Sequence, residues 1–390
     1  MSLRLVLVTR RFWPLVGGAE MVMARLAADL HARGAAVTLL TARWQPDWSQ
    51  EMEHHGVRVV RLPNPASRFW GTWRYMQSVA RWLRQHRERF DLVYVSMLKH
   101  GAYAAVGEGR RGRFPVALRA EGAGLSGDCH WQLDANFGRR IKRRCLQADA
   151  LIAPSPAIER ELVVAGYPRQ RIHYIPNGVP IPSLGGLETR QEARAALAEL
   201  DPALWLEPDA PLAVYTGRLH DMKGLQHLVA AWPHVLRRLP KARLWMVGEG
   251  SYRQALTEQI QSLGLSGRVL LTGAFDDVED FLAAANLFVL PSLEEGMSLA
   301  LLEAMARGLP VVATAIPANE VLVSDGEHGR LVAKEAPAAL ADAIVDLWNH
   351  PDVAARLGEQ ARRRVSAEFS LAKMTDEHLI LFERLLSAAR

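Results

Sequence analysis

The sequence predicts an α/β protein made of two doubly wound parallel-sheet domains that face each other across a cleft. Short apolar runs alternate with longer amphipathic segments through both halves of the 390-residue chain, as βαβ units do. The short runs are apolar throughout, which is typical of buried parallel strands. A proline- and glycine-rich stretch, 176–187, interrupts the alternation and predicts a boundary between the two domains.

The N-terminal domain, 1–180, is predicted from apolar runs rich in Val, Leu, Ile and Ala. The first run is followed by the pair Gly17-Gly18, which opens a helix that ends near Gly34. The predicted strands are 3–8, 37–41, 57–61, 91–96, 116–119, 150–153 and 172–175. The predicted helices are 19–33, 67–90, 99–106, 137–147 and 156–165.

The C-terminal domain, 211–370, repeats this alternation after a linker region, 181–210, that contains one charged helix, 189–200. Ser251 is expected to cap the helix that follows it. The predicted strands are 212–216, 242–247, 268–272, 287–290, 311–313 and 331–332. The predicted helices are 225–239, 252–263, 278–285, 298–305, one that begins at 319, 336–349, 353–369 and 371–389.

Composition excludes several classes of protein. Hydrophobic residues make up 49% of the chain and no run of eighteen apolar residues occurs, so no membrane-spanning helix is predicted. Residues 1–11 lack a small-residue cleavage site and predict a first strand, not a signal peptide. Cys129 and Cys145 are the only cysteines, which argues against a disulfide framework or a zinc site and favours a reducing cytoplasm.

Charge is distributed unevenly. The chain has 27 basic and 14 acidic residues up to Pro180, but 20 basic and 28 acidic residues after it. A basic N-terminal half favours an anionic partner, which could be anionic lipid head groups, a lipid-phosphate acceptor or nucleic acid; an uneven surface without a function is the alternative.

The segment 287–314 predicts a strand, a loop, a helix and another strand. The loop lies at the amino end of the helix, where free N–H groups and the helix dipole favour phosphate. Glu295 lies in the loop, and Glu303 lies in the second helical turn. Carboxylates repel phosphate, so we interpret both as acceptors for hydroxyl groups on either side of it, which predicts a nucleotide-sugar site. The alternative is a helix-capping acid and one solvent-facing glutamate.

A second loop carries two cations. Arg218 and Lys223 lie five positions apart, between the strand 212–216 and the helix that follows. An arginine fork and a lysine point charge beside a helix N-terminus predict a diphosphate clamp, and two unrelated surface cations are the alternative. No DxD motif is present, so no metal site and no cofactor are predicted; the clamp would neutralise the leaving diphosphate.

Four motifs, in order along nearly the whole chain, resemble those of glycosyltransferase family 4, whose members are retaining enzymes of the GT-B fold. The matches are Pro14 with 17–20 to its P…GGAE loop, 176–179 to PNGV, Gly217-Arg218 and Lys223-Gly224 to GR…KG, and Glu295 with Glu303 to E-x7-E. The resemblance implies that the last helix, 371–390, packs back on the N-terminal domain.

The resemblance also implies roles for single residues. Arg218, Lys223 and Glu295 are the expected catalytic residues, with Glu295 on the donor sugar and Glu303 on the ribose. The expected donor-binding residues are Gly17, Gly18, Arg218, Lys223, Phe275, Glu295, Gly296, Met297, Ser298 and Glu303. We expect transfer of a sugar, from a UDP- or GDP-sugar, to a glycan or lipid-linked acceptor during envelope glycan synthesis. The alternatives are an epimerase or phosphorylase of the same fold, or a silent nucleotide-sugar-binding protein.

Three carboxylates are candidates for the acceptor side: Glu20, Glu121 and Asp128. Many members of the family have a histidine about where Glu121 stands, and this departure leaves the role of that position open. Helix capping by Glu20 and turn acids bonded to their own backbone are the alternatives.

Two basic segments, 67–90 and 137–147, are candidates for contact with an anionic membrane surface, which would make the protein cytoplasmic and peripheral. The first has tryptophans and arginines at helical spacing; a crossover helix packed on the sheet is the alternative. A solvated helix face and a phosphorylated acceptor are the alternatives for the second. Neither has the aromatic interleaving of a nucleic-acid site, so nucleic acid is not an expected partner.

Overall fold

The computed structural model describes residues 3–15, 17–65, 70–183, 187–275 and 277–389. It divides the chain into two compact units. Unit 1 comprises Met1–Gly178 and Leu371–Arg390, and unit 2 comprises Val179–Ser370. Residues 67–69 of the predicted membrane segment and 184–186 of the predicted linker lie outside the described residues.

Unit 1 contains an eight-stranded sheet in the order β3-β4-β2-β1-β5-β6-β7-β8. All neighbouring strands are parallel except β3 and β4, which form an antiparallel hairpin. The sequence did not predict β3, because three of its four residues are polar and all four are exposed or half-buried. The strands are β1 (Arg4–Val8), β2 (Ala36–Arg43), β3 (Glu51–His54), β4 (Val57–Pro63), β5 (Leu92–Ser96), β6 (Val116–Arg119), β7 (Ala150–Ala153) and β8 (Ile172–Tyr174).

Helices α1 to α6 belong to unit 1. α2 buries Tyr75, Val79 and Leu83, whereas Trp70 and Trp73 of the predicted apolar stripe are exposed. The helix therefore packs through residues four positions apart and leaves two tryptophans at the surface. The helices are α1 (Gly18–Ala32), α2 (Trp70–Gln85), α3 (His100–Gly112), α4 (Asp128–Asp134), α5 (Gly138–Cys145) and α6 (Pro156–Val164).

Unit 2 contains a six-stranded, fully parallel sheet in the order β11-β10-β9-β12-β13-β14. The strands are β9 (Leu212–Thr216), β10 (Arg243–Val247), β11 (Val269–Gly273), β12 (Leu287–Leu290), β13 (Val311–Thr314) and β14 (Arg330–Val332). Every side chain of β9, β12 and β13 is buried, as the apolar runs predict.

The helices of unit 2 cover this sheet, whose core includes the fully buried Trp232 and Trp245. α9 begins after Tyr252 with no side-chain capping bond, so the prediction that Ser251 caps it was wrong. The helices are α7 (Leu187–Leu200), α8 (Leu225–Arg238), α9 (Arg253–Ser262), α10 (Glu279–Ala284), α11 (Leu299–Ala306), α12 (Pro317–Glu320), α13 (Pro337–Asn349) and α14 (Pro351–Glu368).

The last helix, α15 (Leu371–Ala389), belongs to unit 1. An ion pair joins its Asp376 to Arg33 at the end of α1, and its buried His378 meets Tyr94 of β5. Within the described ranges, no helix has both the length and the apolar character needed to cross a membrane.

Each sheet has one point where the strand order reverses direction. It lies between β1 and β5 in unit 1 and between β9 and β12 in unit 2. In open parallel sheets, ligands bind beyond the carboxyl ends of the strands at such a point. Ligand binding is therefore expected at the loops that follow these four strands.

Candidate functional site

In unit 2, the loops after β9 and β12 touch along their backbones. The amide of Leu293 donates to the carbonyl of Met222 at 2.9 Å. Gly224 has φ +64°, and a Cβ added there would lie 2.1 Å from the carbonyl oxygen of Pro291. Only glycine combines this backbone conformation with such a close approach, so the motif glycine sets the distance between the two loops.

The touching loops bring two predicted site residues into direct contact. Lys223 Nζ lies 2.6 Å from Glu295 Oε1, and the hydroxyl of Ser292 donates to the same oxygen at 2.8 Å. The Glu295 side chain is 9% exposed and that of Lys223 is 21% exposed. Lys223, predicted to bind phosphate, and Glu295, predicted to bind the sugar, thus neutralise each other.

Arg218 lies in the loop after β9, as Lys223 does, and is exposed. Its carbonyl accepts a hydrogen bond of 2.9 Å from the hydroxyl of Tyr215. Burial, with a further contribution from Glu295, holds the pKa of Tyr215 well above its usual value, so the phenol remains a donor. The backbone of Arg218 is fixed while its guanidinium stays open to solvent.

The predicted residues Gly296, Met297 and Ser298 lead directly into α11. The hydroxyl of Ser298 caps this helix by accepting from the amide of Leu301 at 3.3 Å. Glu303 lies in the second turn and is half-buried. The loop therefore presents the amino end of a capped helix beside the Lys223–Glu295 pair, as the phosphate interpretation requires.

Phe275 follows β11, which β10 separates from β9. Its ring is partly buried and meets Phe281 edge to face at 4.6 Å. None of the contacts among the described residues brings Phe275 to Lys223 or Glu295, so its role as a donor-binding residue stays a prediction.

In unit 1, the loop after β1 ends at Gly17, the residue that precedes α1. Glu20 is 7% exposed, and a Cβ at Gly17 would lie 2.6 Å from its carboxylate oxygen. Position 17 must therefore be glycine if Glu20 is to keep this placement. Glu20 occupies the third helical position, where a glutamate reaches back toward the cap, and Gly18 is the first residue of the helix.

The other two acceptor-side candidates lie close together in unit 1: Glu121 follows β6, and Asp128 is the first residue of α4. Asp128 Oδ2 accepts from the amides of Leu98 at 3.1 Å and of Glu121 at 2.9 Å. Asp128 is only 2% exposed, and Lys99 Nζ lies 3.5 Å from its other oxygen. These contacts hold the backbone at Leu98 and Glu121 against Asp128.

Glu121 is held by a fully buried arginine. Arg119 Nε donates to Glu121 Oε1 at 2.8 Å, and Arg119 Nη2 donates to Asn177 of the PNGV segment. Burial raises the pKa of Glu121 and outweighs the opposing effect of Arg119. Glu20 also raises that pKa, so Glu20 and Glu121 interact electrostatically.

Sequence analysis missed the partners of Glu121. Arg119 ends the otherwise apolar strand β6, and a charged residue inside such a run was the signal that could have identified it. A separate contact, at 3.2 Å between Tyr94 and His378, could not have been predicted, because 284 positions separate the two residues.

Metal binding has no obvious place among the residues that the structure describes. No group of three or more His, Cys, Asp and Glu side chains is arranged there to hold an ion. The adjacent His54 and His55 contact each other and aromatic rings, since His54 stacks on Trp13 and meets Phe12 edge to face.

Two family models match this chain. The model of the glycosyl transferase 4-like domain matches residues 17–178, and the model of the glycosyl transferases group 1 matches residues 210–350. The Glu20, Glu121 and Asp128 candidates lie within the first match, and the Lys223–Glu295 pair lies within the second.

Curated relatives give partial matches. The lipopolysaccharide core biosynthesis glycosyltransferase LpsE of Rhizobium meliloti is 35% identical over 173 residues, which cover 44% of this chain and 50% of that protein. The matches cover between 43% and 66% of the length of the first four curated relatives.

Solved structures match nearly the whole chain. Sucrose-phosphate synthase from Thermosynechococcus elongatus has a TM-score of 0.81 at 24% identity, over 99% of this chain and 100% of that chain. The Anabaena protein HepE in complex with UDP-glucose has a TM-score of 0.79 at 20% identity, over 99% of each chain. The predicted fold class, two Rossmann-like α/β domains of the GT-B type, is confirmed.

Proposed function

This chain belongs to the group 1 glycosyl transferases, and from that premise we propose that it transfers a sugar from a nucleotide diphosphate sugar to an acceptor, with retention of configuration. The observation that carries the proposal is the meeting of the β9 and β12 loops in unit 2, where Lys223 contacts Glu295 at 2.6 Å beside the exposed Arg218.

The bond from the anomeric carbon to the donor phosphate breaks, and negative charge develops on the diphosphate. Arg218 and Lys223 stabilise this charge, together with the amino end of α11. The acceptor oxygen bonds to the anomeric carbon on the face that the diphosphate leaves, and its proton passes to the leaving phosphate oxygen. No protein nucleophile is required.

The Lys223–Glu295 contact lets donor binding release Glu295 for the sugar. The diphosphate competes with Glu295 for the ammonium group of Lys223. Once displaced, Glu295 is free to accept hydrogen bonds from hydroxyls of the donor sugar, and Ser292 keeps it in place through its hydroxyl. Glu303 then accepts from the ribose hydroxyls.

The similar proteins guide the choice of donors and acceptors to test. HepE binds UDP-glucose and LpsE is named for lipopolysaccharide core synthesis, so UDP-sugars are the first donors to test and envelope glycans the first acceptors. We extend the proposal to peripheral contact with an anionic membrane from the cytoplasmic side, through the exposed Trp70 and Trp73 and the basic helix α5.

The first experiment measures thermal stabilisation of the chain by UDP, GDP and ADP, each with and without magnesium. A ligand at about 100 times its dissociation constant adds about 2.7 kcal/mol of stability. We expect one nucleotide to stabilise the protein strongly, and Arg218→Ala to remove that effect. Arg356→Ala, an exposed arginine on α14, is the matched control and keeps it.

Two results would contradict the proposal. One is the absence of stabilisation by any nucleotide in folded protein, which would favour a silent protein. The other is conversion of a lone nucleotide sugar to its epimer without an acceptor, which would indicate an epimerase of the same fold.

A further inference from the structure

Three arginines of unit 1 lie against indole rings: Arg10 and Arg11 in the loop after β1, and Arg61 near the carboxyl end of β4. The guanidinium carbons of Arg10 and Arg11 lie 5.3 and 5.6 Å from the ring centre of Trp44. Arg61 lies 4.9 Å above Trp48. We call these five residues the arginine–indole cluster.

The cluster is held in place by neutral groups. Arg10 Nη2 donates to Asn64 Oδ1 at 3.2 Å and to Thr72 Oγ1 at 3.0 Å. The indole nitrogen of Trp44 donates to the Arg10 carbonyl at 2.9 Å. Arg61 Nη1 and Nη2 donate to the carbonyls of Ser49 at 3.3 Å and Trp13 at 3.0 Å.

Within the described residues, no carboxylate forms an ion pair with Arg10, Arg11 or Arg61, whose partners are rings, hydroxyls and amide oxygens. Burial lowers the pKa of Arg10; Tyr75 opposes this and Arg11 adds to it. Burial also lowers the pKa of Arg61, which is 9% exposed. Partly desolvated cations cost free energy unless an anion joins them, and at Arg10 the neighbouring Arg11 adds to this cost.

The position of the cluster indicates a ligand rather than a structural counter-ion. Arg10 and Arg11 follow β1, the strand at the reversal point of the unit 1 sheet, and Trp44 follows β2 beside it. Arg11 is exposed, and its guanidinium makes no hydrogen bond within the described ranges. The Nε of Arg10 is buried and likewise unpartnered. Donors therefore remain available at the end of the sheet where ligands bind.

We propose that the arginine–indole cluster binds a phosphate group carried by the acceptor. A phosphate monoester has a charge of about −1.5 to −2 at pH 7 and three acceptor oxygens, which suits several guanidinium forks better than a single carboxylate does. The phosphate belongs either to a phosphorylated sugar or to a lipid. Assigning it to the acceptor rests on the proposed glycosyl transfer, whereas the phosphate site itself does not.

The test uses the full chain with Arg218→Ala and Lys223→Ala, so that the loops of unit 2 cannot hold the probe. Glucose 6-phosphate and glucose are titrated by calorimetry. In parallel, vesicles of phosphatidylcholine with and without phosphatidic acid are assayed by co-sedimentation. Arg11→Gln removes one exposed fork, and Arg110→Gln is the matched control, an exposed arginine near the end of α3 whose side chain likewise has no ion pair within the described ranges.

We expect saturable binding of glucose 6-phosphate, or of phosphatidic acid vesicles if the phosphate is carried by a lipid. Glucose and phosphatidylcholine should not bind. Arg11→Gln weakens the binding by about tenfold, the loss expected for one charge-assisted hydrogen bond, and Arg110→Gln leaves it unchanged. Arg10→Gln should weaken it similarly; if that variant does not fold, Arg11→Gln alone carries the test.

Binding of neither phosphate probe, or equal losses in Arg11→Gln and Arg110→Gln, would overturn the inference. So would an Arg11→Gln variant of the otherwise unaltered chain that loses stabilisation by nucleotides while phosphate binding persists, because the cluster would then serve the donor. Nucleotide stabilisation without phosphate binding refutes only this inference. Phosphate binding without nucleotide stabilisation refutes only the proposed donor site.

Discussion

The charged side chains at the carboxyl ends of the two sheets differ in their pairing. In unit 2, Lys223 and Glu295 neutralise each other at 2.6 Å. In unit 1, Arg10, Arg11 and Arg61 have no carboxylate partner among the described residues. A paired site must exchange partners when it binds a ligand, whereas a site whose cations lack a carboxylate partner gains stability from the ligand directly. Under the proposed function, only the first keeps Glu295 occupied until a donor arrives.

The largest expected effect separates the two cations of unit 2. Arg218→Ala and Lys223→Ala should each lower kcat by roughly 10²- to 10³-fold, as loss of a single oxyanion donor does. Their effects on stability should differ. Lys223→Ala leaves Glu295 poorly exposed and unpaired and should cost about 1–3 kcal/mol of unfolding free energy, whereas Arg218→Ala, at an exposed position, should cost less than about 0.5 kcal/mol.

Urea unfolding of the two variants measures this difference. The double variant Lys223→Ala with Glu295→Ala completes a double-mutant cycle and should recover part of the lost stability, since it removes the unpaired charge. Equal stability of the two single variants would mean that the Lys223–Glu295 pair contributes nothing to the fold, and the contrast between the units would fail.

The next prediction concerns the backbone contact that creates the pair. Gly224 and Gly264 both have φ +64°, but a Cβ at Gly224 would lie 2.1 Å from the Pro291 carbonyl oxygen, whereas Gly264 has nothing within 4 Å. Gly264→Ala should therefore cost only the left-handed conformation, about 1–2 kcal/mol. Gly224→Ala should cost about 1–3 kcal/mol more, because the two loops must also move apart.

Unfolding free energies of the two variants give the difference directly, and nucleotide affinity gives its consequence. We expect Gly224→Ala to weaken nucleotide binding and Gly264→Ala to leave it unchanged. If Gly224→Ala were no worse than Gly264→Ala in both assays, the β9 and β12 loops would tolerate separation, and the close approach would not be needed for the site.

These contrasts show which features the sequence could predict. β9 and β12 have their predicted bounds because each is an apolar run that glycine or proline ends, and the residues after them fall at the predicted edge of the sheet. The sequence placed Lys223 and Glu295 in one site but could not show that they pair, because the contact depends on how closely two loops approach.

Unit 1 was predicted less well, both in its strands and in its contacts. β3 is polar and pairs only at the edge of the sheet, so it lacks the apolar run that identifies a strand. The doublet Arg10-Arg11 is visible in the sequence, but its isolation from carboxylates is a property of the folded loops. Contacts of Arg119 with Asn177, and of Tyr94 with His378, join residues far apart in the chain.

A third prediction concerns His378, which unit 1 keeps uncharged beside the cation Arg119. Its Nδ1 donates to the carbonyl of Met374 at 2.7 Å, so Nε2 accepts from the hydroxyl of Tyr94 at 3.2 Å. Burial raises the pKa of Tyr94 to about 12, which keeps this donor protonated. Burial, with Arg119 second, lowers the pKa of His378 to about 3.

The unfolded chain therefore binds a proton at His378 near pH 6.5, and the folded chain only near pH 3. Between these values the unfolded state holds more protons, so the stability that neutral His378 provides is full above pH 6.5 and is lost as the pH falls. The loss is about 1.4 kcal/mol per pH unit. His378→Gln removes the titration, so its unfolding free energy, measured by urea between pH 7 and 4, should fall less steeply than that of the wild type. Parallel profiles would show that His378 becomes charged without penalty, and burial beside Arg119 would then not be what keeps this part of unit 1 neutral.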